Sequence, residues 1–297
     1  MALFKKKTTL VHHITYMGIM TALNLIFVVL ARFFPYLMFL LILLLPFAST
    51  IVSYFCLERF YVIYAVASIG LCLLISPTDA LFYVVPAVLS GFTIGVMLDK
   101  GVHPFWMVLS STIINAALTF AFIPLINLIS GSDIVNVFLS LFKLENFAFK
   151  TEITYLFILF ISFAQCLLTI FVLISDVKKM GIETNTRIDS FGPYIIGLEA
   201  SVLLSLIFGF FYAPLSFFFL GISLYFMAFV LIDLCLSKKP VIYILLVVSV
   251  FISIILFAIF YQQIAKPMGL ILVLIFPTLI CILSFVKNYL LKQPSNI

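Results

Sequence analysis

No Asp, Glu, Lys or Arg stands between Arg32 and Glu58, between Arg59 and Asp79, between Lys100 and Asp133, between Glu199 and Asp233, or between Lys239 and Lys266. Each gap is about 20 residues or longer, the length of helix that crosses a hydrocarbon core about 30 Å thick. Only 9% of the residues are charged and 65% are hydrophobic, against about 25% and 45–50% in a soluble domain. A soluble fold of this length would have no polar coat, so that class is excluded. Disordered, collagen-like and disulfide-scaffold classes fail on composition as well. With a mean hydropathy of +1.35, the chain reads as an all-α, polytopic integral membrane protein.

Breaks in the apolar pattern predict ten transmembrane helices. These are Ile14 to Ala31, Tyr36 to Leu57, Phe60 to Ser76, Ala80 to Leu98, and Pro104 to Ile129. The others are Ile153 to Ser175, Gly192 to Phe211, Leu215 to Leu236, Pro240 to Tyr261, and Met268 to Val286. Lys5, Lys6 and Lys7 resemble the start of a signal peptide, but no small-residue cleavage site precedes Arg32. The first span is therefore expected to stay in the membrane.

Positive residues set the orientation. With a cytoplasmic N-terminus, the inside segments hold Lys5, Lys6, Lys7, Arg59, Lys100, Lys178, Lys179, Arg187, Lys238, Lys239, Lys287 and Lys292. The outside segments hold Arg32, Lys143, Lys150 and Lys266. Both termini are therefore expected in the cytoplasm of a multi-pass cell-membrane protein, and the net charge of +5 serves orientation, with no nucleic-acid partner implied.

Two connections stand out. In the outside segment from Ser130 to Glu152, Ile134, Val135, Phe138, Leu141 and Phe142 share one helical face. Asp133, Asn136, Ser140 and Lys143 share another, the pattern of an interfacial amphipathic helix, either an inert one or a lid over an outward site. The longest polar stretch separates six spans from four. The expected organisation is a six-span module over 1–175, a cytoplasmic linker over 176–190 and a four-span module over 191–297.

Catalytic motifs are absent from the sequence. There is no GxxxxGK[ST], HExxH or GxSxG, so an ATPase, zinc-protease or hydrolase reading finds no support. His12, His13 and His103 lie near the cytoplasmic surface without metal-ligand spacing. The five cysteines, Cys56, Cys72, Cys166, Cys235 and Cys281, form no CxxC and read as small hydrophobes. No enzyme activity, metal or cofactor is expected.

Polar residues inside spans are therefore the informative ones. Glu199 is expected about 10 Å deep at 1.5 Å per residue, with Gln165 at similar depth as its candidate partner. The pair reads either as a proton- or cation-sensitive coupling site or as an interhelical hydrogen bond. Asn24 and Asn115, near mid-membrane, suit ligand binding or helix–helix hydrogen bonding. Asp233, close to Lys238, reads as a snorkelling end residue.

Small residues give a further pattern. Ala87, Gly91 and Gly95 recur every four positions on the fourth span, and Gly18 and Ala22 do so on the first. Such stripes let another helix approach closely, within the protein or from a partner.

Several of these stretches carry a resemblance. Met17 to Asn24 (MGIMTALN), the Phe34-Pro35 turn, Pro86 to Gly95 (PAVLSGFTIG) and the turn Asp99-Lys100-Gly101 resemble the substrate-capture, or S, component of energy-coupling factor importers. The resemblance covers about Thr9 to Ser175. The whole chain is also similar to YybS-like membrane proteins, which are related to S components. The resemblance implies a six-helix capture module with a ligand pocket toward the outside. It implies, as partners, a transmembrane coupling subunit, two cytoplasmic ATPases and a small-molecule ligand, in addition to membrane lipid. It also implies that a small-residue stripe on the first span meets the coupling subunit, and Gly18 and Ala22 match that spacing. Ligand contacts do not carry over from any motif. On physical grounds they are expected at the outer ends of the spans, at Arg32, Thr78, Asp79, Asn127 and Asp133, with helix capping the competing use of Asp79 and Asp133.

The expected function is capture of a vitamin-like molecule for ATP-driven import, with no chemistry of its own. The alternative is a structural or assembly protein of the bacterial envelope without a transported ligand.

Overall fold

The computed structural model describes residues 9–34, 38–141, 150–177, 192–236, 240–260 and 274–292. Among these residues the regular elements are all helices. They are α1 (Leu10–Phe33), α2 (Met38–Phe55), α3 (Glu58–Ile75), α4 (Pro77–Asp99), α5 (Pro104–Ser130) and α6 (Ile134–Leu141). The rest are α7 (Lys150–Val177), α8 (Gly192–Phe211), α9 (Ala213–Leu236), α10 (Pro240–Phe260) and α11 (Ile275–Lys292). Among the described residues seven helices are long and apolar enough to cross a membrane: α1, α3, α4, α5, α7, α8 and α9. Shorter apolar stretches lie in α2, α10 and α11. The protein is thus an all-helical, multi-pass membrane protein. Most of the expected linker, the second half of the expected interfacial helix and the start of the last expected span lie outside the described residues.

Helix ends follow their caps, and this moves several of the expected boundaries. Glu58 and Arg59, expected between two spans, form the first turn of α3, where an acidic side chain meets the positive end of the helix dipole. Pro77, Thr78 and Asp79, expected as a break, open α4. Ser76 Oγ accepts the Asp79 N–H, and Pro77 takes a first-turn position where no N–H is needed. Pro104 opens α5 in the same way, behind a His103 ring nitrogen that accepts the Phe105 N–H. That helix stops at Gly131, whose φ of 64° lies in the left-handed region that glycine adopts without strain.

α4 is not uniform. Ala80–Val84 form a π-helical turn, with the Val85 N–H bonded to the Ala80 carbonyl five residues back. Pro86 follows directly. A proline ring clashes with the carbonyl four residues before it and supplies no N–H, and the widened turn accommodates both.

The chain divides into two compact units. The first comprises residues 1–138 and 157–188. Within it α2 and α4 approach at backbone distance. A Cβ placed on Gly91 would stand 2.5 Å from Ser49 Cβ and 2.6 Å from the Pro46 carbonyl oxygen. One placed on Gly95 would stand 2.5 Å from Ser53 Cβ. Ala87 is buried on the same stripe. Ser53 Oγ donates to the Phe92 carbonyl across this seam at 3.0 Å. The stripe read from the sequence is therefore used within the unit. Outward, α3 leaves Val62, Val66 and Leu74 exposed, an apolar face suited to lipid.

The second unit comprises residues 139–156 and 189–297. α8 and α9 form a hairpin closed at Tyr212. Ser216 Oγ donates to the Ser205 carbonyl at 2.6 Å, and Ser205 Oγ donates to the Ser216 carbonyl at 2.9 Å. Near the other end Gly197 makes room for the Phe226 ring, and Tyr194 stacks on Phe229. Leu198, Val202, Leu220, Val230 and Ile280 fill the core, with Ile153 and Leu156 packed against it.

Candidate functional site

A buried polar cluster of the first unit lies where α4, α5 and α7 meet. Asn115 stands near the middle of α5 and is buried. Its Nδ2 donates to Gln165 Oε1 on α7 at 2.9 Å and to Ser90 Oγ on α4 at 3.2 Å. Its Oδ1 accepts from Ser162 Oγ at 3.1 Å. Both amide hydrogens and the carbonyl are thus used, as a polar group in hydrocarbon requires. Thr119 and Thr169 return their hydroxyls to the carbonyls of Asn115 and Gln165, one turn back. Neither threonine adds an unsatisfied donor. The Cys166 thiol lies beside the Ser90, Ser111 and Thr112 hydroxyls on the same junction.

This network lines a cavity. Asn115, Thr119, Ser162 and Gln165 form its polar wall, Ile158 and Ile161 its apolar wall, and Phe82 and Tyr83 come from the π turn of α4. The site is partly open to the surface; the space around its lining, open surroundings included, comes to about 260 Å³, and about 20 Å³ of it admits the centre of a water molecule. That is room for a water or so, below the about 300–1,000 Å³ of pockets that enclose drug-sized ligands. None of these lining residues carries a charge. The wall offers hydrogen-bonding groups and aromatic faces, a surface for an uncharged polar group.

A second buried cluster joins α1, α2 and α3. Asn24 Nδ2 donates to the Tyr64 hydroxyl at 2.7 Å, and Ser49 Oγ lies 3.0 Å from that same hydroxyl. Ser68 Oγ donates to Thr21 Oγ1, and the Tyr61 hydroxyl donates to the Val88 carbonyl at 2.6 Å, which brings in α4. Asn24 Oδ1 is buried without a hydrogen-bond partner among the described residues. The cluster works as a polar joint between helices.

The other sequence candidates have defined places. Arg32 donates from Nη1 to the Ile75 carbonyl at 2.9 Å, tying the end of α1 to the end of α3. Thr78 Oγ1 pairs with Ser76 Oγ beside the Asp79 cap. Asn127 Oδ1 accepts the Ile134 N–H, and Asp133 accepts the Val135 N–H and the Asn136 amide. Asn127 and Asp133 thus accept backbone N–H groups at the start of α6, while Asp79 takes part through its own N–H. Gly18 and Ala22 lie on an exposed face of α1, and a Cβ on Gly18 would meet nothing within 4 Å. Glu199 is half-buried in the second unit and lies within electrostatic reach of Cys281.

Gln165, expected at the depth of Glu199, gives its side-chain carbonyl to Asn115. Ser90, Ser162 and Thr119 were not singled out in the sequence. A signal was present in the spacing of Ser111, Asn115 and Thr119 on α5 and of Ser162, Gln165 and Thr169 on α7, each a polar line along one helical face. Phe82 and Tyr83 had no such signal, since a π turn is invisible to a 3.6-residue period.

Among the described residues Cys56, Cys72, Cys166 and Cys281 form no disulfide and are buried. No group of three His, Cys, Asp or Glu among the described residues is arranged to hold a metal. No family model, curated protein or solved structure matches the chain.

Proposed function

We propose that this protein is the substrate-capture subunit of an importer, related to the S components of energy-coupling factor systems. In this reading the cavity between α4, α5 and α7 receives an uncharged polar part of a small, vitamin-like molecule. The observation that carries it is the amide pair Asn115–Gln165 set at mid-helix against a cavity. Intramembrane amides are costly unless paired and mark ligand or ion paths. Here the pair is fixed by Ser90 and Ser162 and still borders open space.

The exposed Gly18–Ala22 face of α1 supports the same reading, because it leaves a flat surface for a transmembrane coupling subunit. ATP hydrolysis belongs to cytoplasmic partners, as the chain carries no phosphate-binding loop. The reading includes ten spans with both termini in the cytoplasm, and a second unit that modifies docking of the coupling subunit.

Native mass spectrometry of the complex extracted in mild detergent tests this directly. Capture predicts co-purification of a coupling subunit and ATPases, with a small molecule bound to the chain. Recovery with envelope-assembly proteins and no bound small molecule would overturn it in favour of a scaffold.

A further inference from the structure

Three helices line the cavity, and they are not equally fixed. α5 and α7 are joined across it by the Asn115–Gln165 bond. α4 meets it through the π turn Ala80–Val84, from which Phe82 and Tyr83 project. We propose that this turn is a gate: a shift of the wide turn along α4 swings the Phe82 and Tyr83 rings out of the cavity and opens it.

The backbone of α4 is weakest at this point. Val85 donates five residues back to Ala80, so the Leu81 carbonyl loses its normal helical donor. Pro86 has no N–H, so residue 86 bonds neither Leu81 nor Phe82. The carbonyls with the fewest ladder bonds thus belong to the stretch that lines the cavity. Ala80 and Val84 at its two ends are fully buried, while Phe82 and Tyr83 are half-buried. Beyond Pro86 the helix is held against α2 at Gly91 and Gly95.

Geometry sets the effect of a shift. Moving a wide turn past a residue re-aims that side chain by about 100°, one residue's share of a helical turn. For Phe82 and Tyr83 this is enough to leave the cavity wall. The amide network on α5 and α7 stays as it is. A cavity with room for about a water then becomes a larger space without any change in its polar side. The purpose of the gate rests on the capture reading. The motion itself is argued from α4 alone.

The test uses a chain with its five cysteines replaced by alanine and Ile158→Cys as reporter, a buried position on the cavity wall. The rate of labelling by N-ethylmaleimide is measured without ligand, alongside thermal melting. Pro86→Ala restores an N–H that can bond Phe82 in a regular helix, which favours displacement of the wide turn. Labelling should speed up several-fold. Pro124→Ala in α5, an exposed proline away from this turn, should leave the rate unchanged. If Pro86→Ala melts cooperatively and labels at the parent rate, or if Pro124→Ala accelerates labelling equally, there is no gate at this turn. Should Pro86→Ala fail to fold, Tyr83→Ala decides: faster labelling supports the gate, and an unchanged rate overturns it. Because no ligand is present, the result is independent of whether capture itself holds.

Discussion

Asn115 Nδ2 lies 2.9 Å from Gln165 Oε1, joining the middles of two helices whose partners stand 50 residues apart in the chain. In water such a bond would add little. In a helix bundle a buried amide is costly unless bonded, so the pair is expected to help fix how α5 and α7 meet.

A double-mutant cycle measures this. Asn115→Leu removes the donor to Gln165 Oε1 and the acceptor of the Ser162 hydroxyl, and Gln165→Leu strands one hydrogen of Asn115. Each should lower stability by about 1–3 kcal/mol, the cost of an unsatisfied buried group. The double variant should recover part of the loss, with a coupling of about 0.5–3 kcal/mol. Thermal melting in one detergent, at fixed protein concentration, reads both. Strict additivity would mean that the two amides do not share a network.

Glycine substitutions should separate the two small-residue stripes. Gly91→Ala places a Cβ against the Pro46 carbonyl and Ser49, and overpacking of this kind costs about 1–3 kcal/mol. Gly18→Leu meets open space and should leave melting unchanged. If Gly18→Leu nevertheless abolishes co-purification of a coupling subunit, the exposed stripe is a docking face. Loss of the fold in Gly18→Leu would contradict its exposure.

Tyr64→Phe removes the hydroxyl that serves both Asn24 and Ser49. A loss of about 1–3 kcal/mol is expected from the stranded Asn24 amide. Asn24→Val in the same background removes the stranded group and should restore part of the stability. Melting of the single and double variants provides the check, and no loss in Tyr64→Phe would mean the joint is not structural.

Topology is open to a direct count. With ten spans, a fluorescent reporter fused after residue 297 should fold in the cytoplasm, and alkaline phosphatase fused there should stay inactive. The reverse pattern would require one span fewer or one more.

The class of fold was legible because charge is so rare: the gaps between charged residues already have the length of membrane helices. The Ala87–Gly91–Gly95 stripe was legible too, since small residues at four-residue spacing have few uses in a membrane helix other than close packing. Helix ends were less so. Glu58-Arg59 and Pro77-Thr78-Asp79 look like interruptions to a hydropathy scale, yet first helical turns accept acids and prolines. The Asn115–Gln165 bond is not legible from depth, which fixes only one coordinate while several helices offer residues at the same level. The aromatic side of the cavity was hidden for a different reason. The π turn shifts the helical register between Ala80 and Val84, so any wheel drawn through α4 at a constant period misplaces Phe82 or Tyr83.

α7 is continuous from Lys150 to Val177, yet its opening turns group with the second unit and the remainder with the first. This has a consequence for dissection. Cleavage within 178–191 cuts the chain at its longest polar stretch, but neither product is a complete unit. The N-terminal fragment would carry residues 139–156 away from the core they help to fill, where Leu156 reaches Gly221. The C-terminal fragment would lose that wall.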